Sequence, residues 1–325
     1  MDKDEKKLEL AARAAWMYYV TGQTQQDIAQ VLGVSRQVAQ RLVSLAREQG
    51  MVKVHITHPV DRCLKLAEQM QEKFGLALCR VVPSMGLDDE KVEQMIALDS
   101  AEVISLFVSD EKPLTVAVGS GRMLRAAINE LPYLERPQHS CVSLIGAIAR
   151  DGSCTRYDVP LWMAEKTQGK YFILPAPLFA DSAEDRYQWC NHRIYHAVAE
   201  KAQRADVTFI GIGQIERGCP LNVDGFITDK QVDRLKEQRT VAEMLGHFIG
   251  EDGQRVSSEL DETLTSIPLK PRTDRKIIAF AGGRHKYSAV RAVLIGQWIS
   301  GLVTDEETAC RLLADDSLLP VASQS

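Results

Sequence analysis

The chain has no run of about 18 apolar residues and no apolar region after its charged start, MDKDEKK, so neither a spanning helix nor a signal peptide is expected. A soluble, cytoplasmic protein with no membrane partner is the expectation. The seven cysteines, at positions 63, 79, 141, 154, 190, 219 and 310, contain no C-x-x-C pair and no Cys/His ligand spacing. They read as reduced core residues, which argues against a disulfide framework and against a metal site. Neither G-x-G-x-x-G nor a Walker A pattern occurs, so no nucleotide cofactor is expected. Low-complexity tracts and internal repeats are also missing, which disfavours disordered and solenoid readings.

Acidic residues are missing from one particular place. Between Asp27 and Glu48 there are none. The whole chain of 325 residues carries a net charge of −5, but residues 1–60 hold eight Lys or Arg against six acids. Basic surface therefore belongs to the N-terminal segment, and the length accommodates one small and one large domain, divided as 1–58 and 59–325.

Residues 24–50, TQQDIAQVLGVSRQVAQRLVSLAREQG, read as two helices separated by a turn. Thr24 and Ser35 suit the two N-caps, and Gly33 suits the left-handed exit between them. Ile28 and Leu32 fall on one buried face. Val38, Leu42 and Leu45, spaced i, i+4 and i+7, are expected to pack inward with Val34. The outer face then presents Arg36, Gln37, Gln40, Arg41 and Ser44. Arg and Gln can bond guanine and adenine edges in the major groove, so a DNA-binding helix-turn-helix is the reading, with Thr24, Gln25 and Ser35 at the helix starts. Before it, Leu8, Ala12, Ala15, Trp16 and Tyr19 form an apolar stripe expected to brace the motif. After it, residues 51–57 alternate as a strand that could begin a wing, in which Lys53 and His55 either approach phosphate or touch nothing.

From residue 61 a helix aligns Cys63, Leu66, Ala67, Met70 and Phe74 on one apolar face, read by default as a core helix and otherwise as a link between the domains or a pairing surface for a second subunit. Beyond residue 76, apolar strand-like runs alternate with helical stretches, including one long helix expected over 182–204 and one strand over 206–213. This alternation predicts an α/β domain with a mainly parallel sheet, whose ligands sit at the carboxyl ends of the strands. Three glycine turns follow such strands: Gly119-Ser120-Gly121, Gly211-Ile212-Gly213-Gln214 and Gly282-Gly283. Backbone can approach a ligand closely there, and the free N–H groups of the following helices favour an anionic or hydroxyl-rich molecule. Lys286 is placed to reach the same mouth.

These stretches resemble the SorC family of sugar-binding bacterial transcriptional regulators over nearly the whole chain. The matching segments are AAWMYYVTGQTQQDIAQVLGVSRQVAQRLV, VAVGSGRMLRAAI, ILPAPLFA, DVTFIGIG, LGHF, AFAGGRHKYSAVRAVLIG and LVTDEETA. The resemblance implies an N-terminal helix-turn-helix, winged-helix-like, joined to an effector domain that resembles the phosphosugar isomerase fold. It implies a homo-oligomer, commonly a tetramer, that binds operator DNA and responds to a sugar, sugar phosphate or polyol; its branch is the one associated with sugar alcohols. By motif, effector contacts fall on Gly119, Ser120, Gly121 and Arg122, on Gly211, Gly213 and Gln214, and on Gly282, Gly283 and Lys286. Two positions depart from the family. Met123 stands where Thr is usual, which favours an unphosphorylated polyol, and Gly250 replaces the usual acid, a role that Glu251 or Asp252 is then expected to assume.

Two rivals remain at this level. An isomerase-like enzyme would need a base and a partner from Asp224, Asp229, His247 or His285, but none has a spacing that pairs it with another. A protein-interaction winged helix is disfavoured by the acid-free face of residues 36–44.

Overall fold

The computed structural model describes residues 3–52, 61–148, 159–268, 270–271, 275–315 and 317. Two compact units, Met1–Pro59 and Val60–Ser325, divide the chain.

The first unit contains α1 (Lys3–Tyr19), α2 (Gln25–Leu32) and α3 (Arg36–Glu48). Thr24 and Asp27 close a reciprocal capping box: the Asp27 N–H donates to Thr24 Oγ1 at 3.3 Å, and the Thr24 N–H donates to Asp27 Oδ2 at 3.0 Å. Gly33 leaves α2 at φ 66°, and Ser35 Oγ then accepts from the Val38 N–H at 3.3 Å. Each cap satisfies an otherwise orphaned amide, an effect of about 1 kcal/mol. The core joins Ala11, Ala14, Ala15 and Met17 to Ile28, Ala29, Ala39, Leu42, Val43 and Ala46.

Two expectations are corrected here. The bracing face of α1 is Ala11, Ala14, Ala15 and Met17; of the expected stripe Ala15 is buried and Leu8 half-buried, while Ala12 is exposed and Trp16 and Tyr19 point outward, 58% and 40% exposed. On α3 the buried set is Ala39, Leu42, Val43 and Ala46, which leaves Val38 on the outer flank. Residues 53–57 of the expected wing strand, with Lys53 and His55, lie outside the described residues.

The second unit begins with α4 (Asp61–Phe74), β1 (Leu78–Val82), α5 (Asp89–Val108), β2 (Thr115–Val118), α6 (Arg122–Glu130), β3 (Ser140–Ile148), α7 (Val159–Thr167) and β4 (Lys170–Pro177). It continues through α8 (Ala183–Cys190), α9 (Arg193–Gln203), β5 (Val207–Gly211), β6 (Gly213–Gln214), α10 (Pro220–Val223), α11 (Asp229–Glu237), β7 (Thr240–Met244), β8 (His247–Gly250) and β9 (Arg255–Val256). It closes with β10 (Ile277–Phe280), α12 (Tyr287–Ile295), β11 (Gly301–Asp305) and α13 (Glu306–Leu313).

Seven of these strands form one parallel sheet in the order β1-β11-β10-β5-β2-β3-β4. Buried on both faces, its central strands are continuous apolar runs; all four residues of β10 are buried, and Phe280 stacks on Phe209 with ring centroids 5.7 Å apart. The order matters for function. The three strands that end in glycine turns, β10, β5 and β2, are immediate neighbours.

Three features depart from the sequence reading. The expected long helix breaks into α8 and α9, because the His192 ring Nδ1 accepts from the Ile194 N–H at 3.2 Å and caps a new helix. The expected strand over 206–213 ends at Gly211, and Gly213–Gln214 passes into a second, antiparallel sheet, β6-β7-β8-β9. That sheet had no counterpart in the reading of the sequence. Its β7–β8 hairpin turns on Leu245 and Gly246, both at positive φ (57° and 81°), the geometry of a two-residue turn.

His247, at the start of β8, is 4% exposed, with Nε2 3.4 Å from the Ile267 carbonyl oxygen. Burial, followed by the nearby Arg255, pushes its pKa down to about 4. Its folded-state pKa thus lies below its unfolded value, so the neutral ring stabilises the fold at neutral pH and that stability is lost as pH falls from about 6.5 towards 4. Urea unfolding at pH 7 and pH 5 should show this as roughly 2 kcal/mol lost by the parent chain in excess of any loss by His247→Gln. Equal losses in both proteins would place the acid sensitivity elsewhere.

Candidate effector cavity

Over the carboxyl ends of β10, β5 and β2 lies a cavity of about 480 Å³. Ser120, Gly121, Arg122, Gly211, Gly213, Gln214, Gly282 and Lys286 all line it, as does Met123. Three turns separated by some 160 positions in sequence therefore meet at one mouth, because parallel strands all end on the same side. Gly119 and Gly283 stand outside the lining. The Gly119 N–H donates to the Phe209 carbonyl at 2.9 Å, within the sheet, and the Gly283 N–H donates to Asp305 Oδ2 at 2.6 Å. Asp305 in turn explains Gly282, where any Cβ would collide with Oδ2 of that carboxylate.

The floor of the cavity is made where the chain leaves one sheet for the other. Lys286 Nζ donates to the Ile212 carbonyl at 2.9 Å, which pins the crossing point. Beside it Gly213 pairs with Glu243 of β7, and a Cβ at Gly213 would strike Glu243 Oε2. Glu243 Oε1 accepts the Gly246 N–H at 2.6 Å, so the hairpin turn orients the carboxylate. Burial pushes the Glu243 carboxyl above the usual glutamate range, opposed by that hydrogen bond and by the charge of Lys286. Burial also lowers the Lys286 ammonium, with Glu243 holding it up. Two charges short of water, an ammonium that donates to a hydroxyl oxygen and a carboxylate that accepts from a hydroxyl, suit a ligand rich in hydroxyl groups.

Glu243 was missed in the sequence because nothing there marked 240–244 as a strand. The buried set there, Thr240, Ala242 and Met244, includes a hydroxyl residue, and apolar Val241 lies with Glu243 in the less buried set, so the residue types do not alternate as the burial does. Four further residues with carboxylates, Glu90, Glu93, Glu130 and Asp224, line the cavity, together with apolar residues that include Ile145, Leu178, Phe226 and Leu245. The acid expected at Glu251 or Asp252 lies elsewhere: Glu251 pairs with Arg239 at 2.8 Å, and Asp252 Oδ1 accepts from the Gln254 N–H at 3.0 Å. A hairpin end away from the sheet mouth cannot supply the cavity, so Glu243 is the deep carboxylate there.

The four residues considered for catalysis do not converge. Asp224 lines the cavity, and Asp229 accepts from Asn222 Nδ2 at 2.9 Å. His247 is buried in β8, and His285 is exposed beside Asp89, 3.9 Å away.

In the first unit, Arg36, Gln37, Gln40 and Arg41 stand exposed on α3, and Ser44 and Gln25 are half-buried. Thr24 is exposed at the start of α2, although its hydroxyl, like that of Ser35, serves a helix cap.

Residues 58–314 match the family described as "putative sugar-binding domain". The chain is 33% identical over 306 residues to the erythritol catabolism regulatory protein EryD of Brucella abortus (strain 2308), covering 94% of this chain and 96% of that one. It belongs to the SorC family. The transcriptional regulator LsrR of Klebsiella pneumoniae subsp. pneumoniae is 30% identical over 319 residues, with 94% and 93% covered. Among solved structures, the full-length sorbitol operon regulator SorC from Klebsiella pneumoniae superposes with a TM-score of 0.73 at 25% identity, covering 96% of this chain and 99% of that one. The protein is thus a SorC-family transcriptional regulator of the carbohydrate-operon class, and the enzyme reading is not favoured.

Lys286 holds the Ile212 carbonyl and offsets the charge of the buried Glu243, so its loss leaves an acceptor and a carboxylate without that partner. Lys286→Met is expected to lower the free energy of urea unfolding at pH 7 by about 1 to 3 kcal/mol. Unchanged stability would remove this contact as a constraint on the fold.

Proposed function

We propose that this SorC-family regulator binds operator DNA through the outer face of α3 and is controlled by an uncharged, short-chain sugar alcohol held in the cavity at the sheet mouth. The observation that carries the effector reading is the charge of that cavity. Five carboxylates line it against two cations, Arg122 and Lys286, an environment that repels a phosphorylated ligand and offers many acceptors to hydroxyl groups. Met123, in place of a hydroxyl residue, removes one further donor for phosphate. The similarity to a regulator of erythritol catabolism supports a four-carbon polyol.

The site residues take roles on that basis. Ser120, Gln214 and Lys286 donate to ligand oxygens, Glu243 accepts from ligand hydroxyls, Arg122 flanks the entrance, and Gly121, Gly211, Gly213 and Gly282 keep the backbone close. On DNA, Arg36, Gln37, Gln40 and Arg41 meet base edges while Thr24, Gln25, Ser35 and Ser44 lie near the backbone. The second unit assembles copies of the chain, as a tetramer in this reading, and the protein acts in the cytoplasm as a binder without catalytic turnover. The modest positive balance of residues 1–60 fits a module whose useful affinity depends on several linked copies.

A thermal-shift screen tests the effector. Erythritol at about 100 times its dissociation constant stabilises by about 2.7 kcal/mol, whereas erythritol 4-phosphate at the same concentration should give no shift, and Glu243→Ala should abolish the erythritol response. A shift with the phosphate alone would reverse the assignment. Arg41→Ala should weaken binding to an operator selected by the parent chain by about 1 to 3 kcal/mol and relax preference at one base pair. Unchanged affinity and selectivity in a gel-shift series would remove α3 from the interface.

A further inference from the structure

On the outer side of α3 the exposed residues of the first turns are polar with one exception. Val38 is 39% exposed and lies outside the core formed by Ala39, Leu42, Val43 and Ala46. It occupies the third position of a helix that starts at Arg36 and is capped by Ser35, so it belongs to the end that meets base edges in a helix-turn-helix. Gln37 precedes it, and Arg41 lies three residues on, a near neighbour on the helix surface. An apolar side chain in that company has one apolar partner in the major groove, the 5-methyl group of thymine.

We propose that Val38 reads a thymine methyl, making it a specificity residue in each half-site. The inference rests on the reading of α3 as the DNA-contacting helix. Because neighbours at i and i+3 on a helix lie about 5 to 6 Å apart and base pairs stack every 3.4 Å, the thymine lies within two base pairs of the base bonded by Arg41. Gln37, Gln40, Arg36 and Arg41 supply hydrogen bonds, and Val38 supplies the discrimination of thymine from cytosine that such bonds leave incomplete.

Site selection followed by methyl deletion tests this. Full-length protein selects sites from a random duplex pool, and each thymine of the best site is replaced singly by deoxyuridine, which removes the methyl group and leaves every hydrogen-bonding group intact. The parent chain should lose roughly fourfold in affinity at one thymine per half-site, the effect of one buried methyl group. Val38→Ala should bind the unmodified site about that much more weakly and show no response to deoxyuridine at that thymine, while other thymines behave as in the parent. Tight binding by the parent with no sensitivity to deoxyuridine at any position overturns the proposal. So does a Val38→Ala variant that keeps the parental pattern. A pool that yields no enriched sequence overturns the DNA-binding reading, and the proposal with it.

Discussion

The cavity depends on one contact, the hydrogen bond from Lys286 Nζ to the Ile212 carbonyl. Ile212 is where the chain leaves the parallel sheet and enters the antiparallel one, so this bond fixes how the two sheets meet. It draws the helix start after β10 towards the end of β5 and leaves Gly213 against Glu243. Two charged groups of the cavity meet at that junction, an ammonium already committed to a carbonyl and a carboxylate already committed to the Gly246 N–H, with Gly213 where a Cβ would strike that carboxylate. The charges are held before any ligand arrives. On the proposed function, a hydroxyl-bearing effector exchanges water for groups that need no reorganisation, which is how a polar ligand can be bound selectively in a partly apolar cavity.

Much of this was legible in the residues, for a physical reason. Caps and glycine exits are local devices, so Thr24, Gly33 and Ser35 declared the helix-turn-helix without reference to the rest of the chain. The central strands were legible because burial on both faces makes them continuously apolar. The three glycine turns were visible too, and their convergence follows from β10, β5 and β2 being neighbours, an order that no local pattern encodes.

What escaped was decided by tertiary packing. On α1 the expected stripe and the buried one share only Ala15, and packing against α2 and α3 selects Ala11, Ala14, Ala15 and Met17. Val38 has the spacing of a core residue, but the buried arc of α3 is centred one position further along. The second sheet went unseen because β6 and β9 have two residues each and Leu245 occupies a positive-φ position that rarely takes leucine. Glu243, the deep carboxylate of the site, lies in that sheet. The family motif directed attention to Gly250 and its neighbours, and the cavity turned out to be furnished from seven residues earlier.

On the proposed function, the two units act on each other through coupling. If the effector changes DNA affinity, linkage requires DNA to change effector affinity by the same factor. The most direct test is calorimetric titration of erythritol into the full-length protein, free and saturated with its selected operator, beside operator titrations with and without erythritol. Both pairs of titrations should yield one coupling factor, roughly 5- to 150-fold, and Glu243→Ala should remove it while leaving operator affinity in place. Erythritol binding of equal strength to free and operator-bound protein would contradict it.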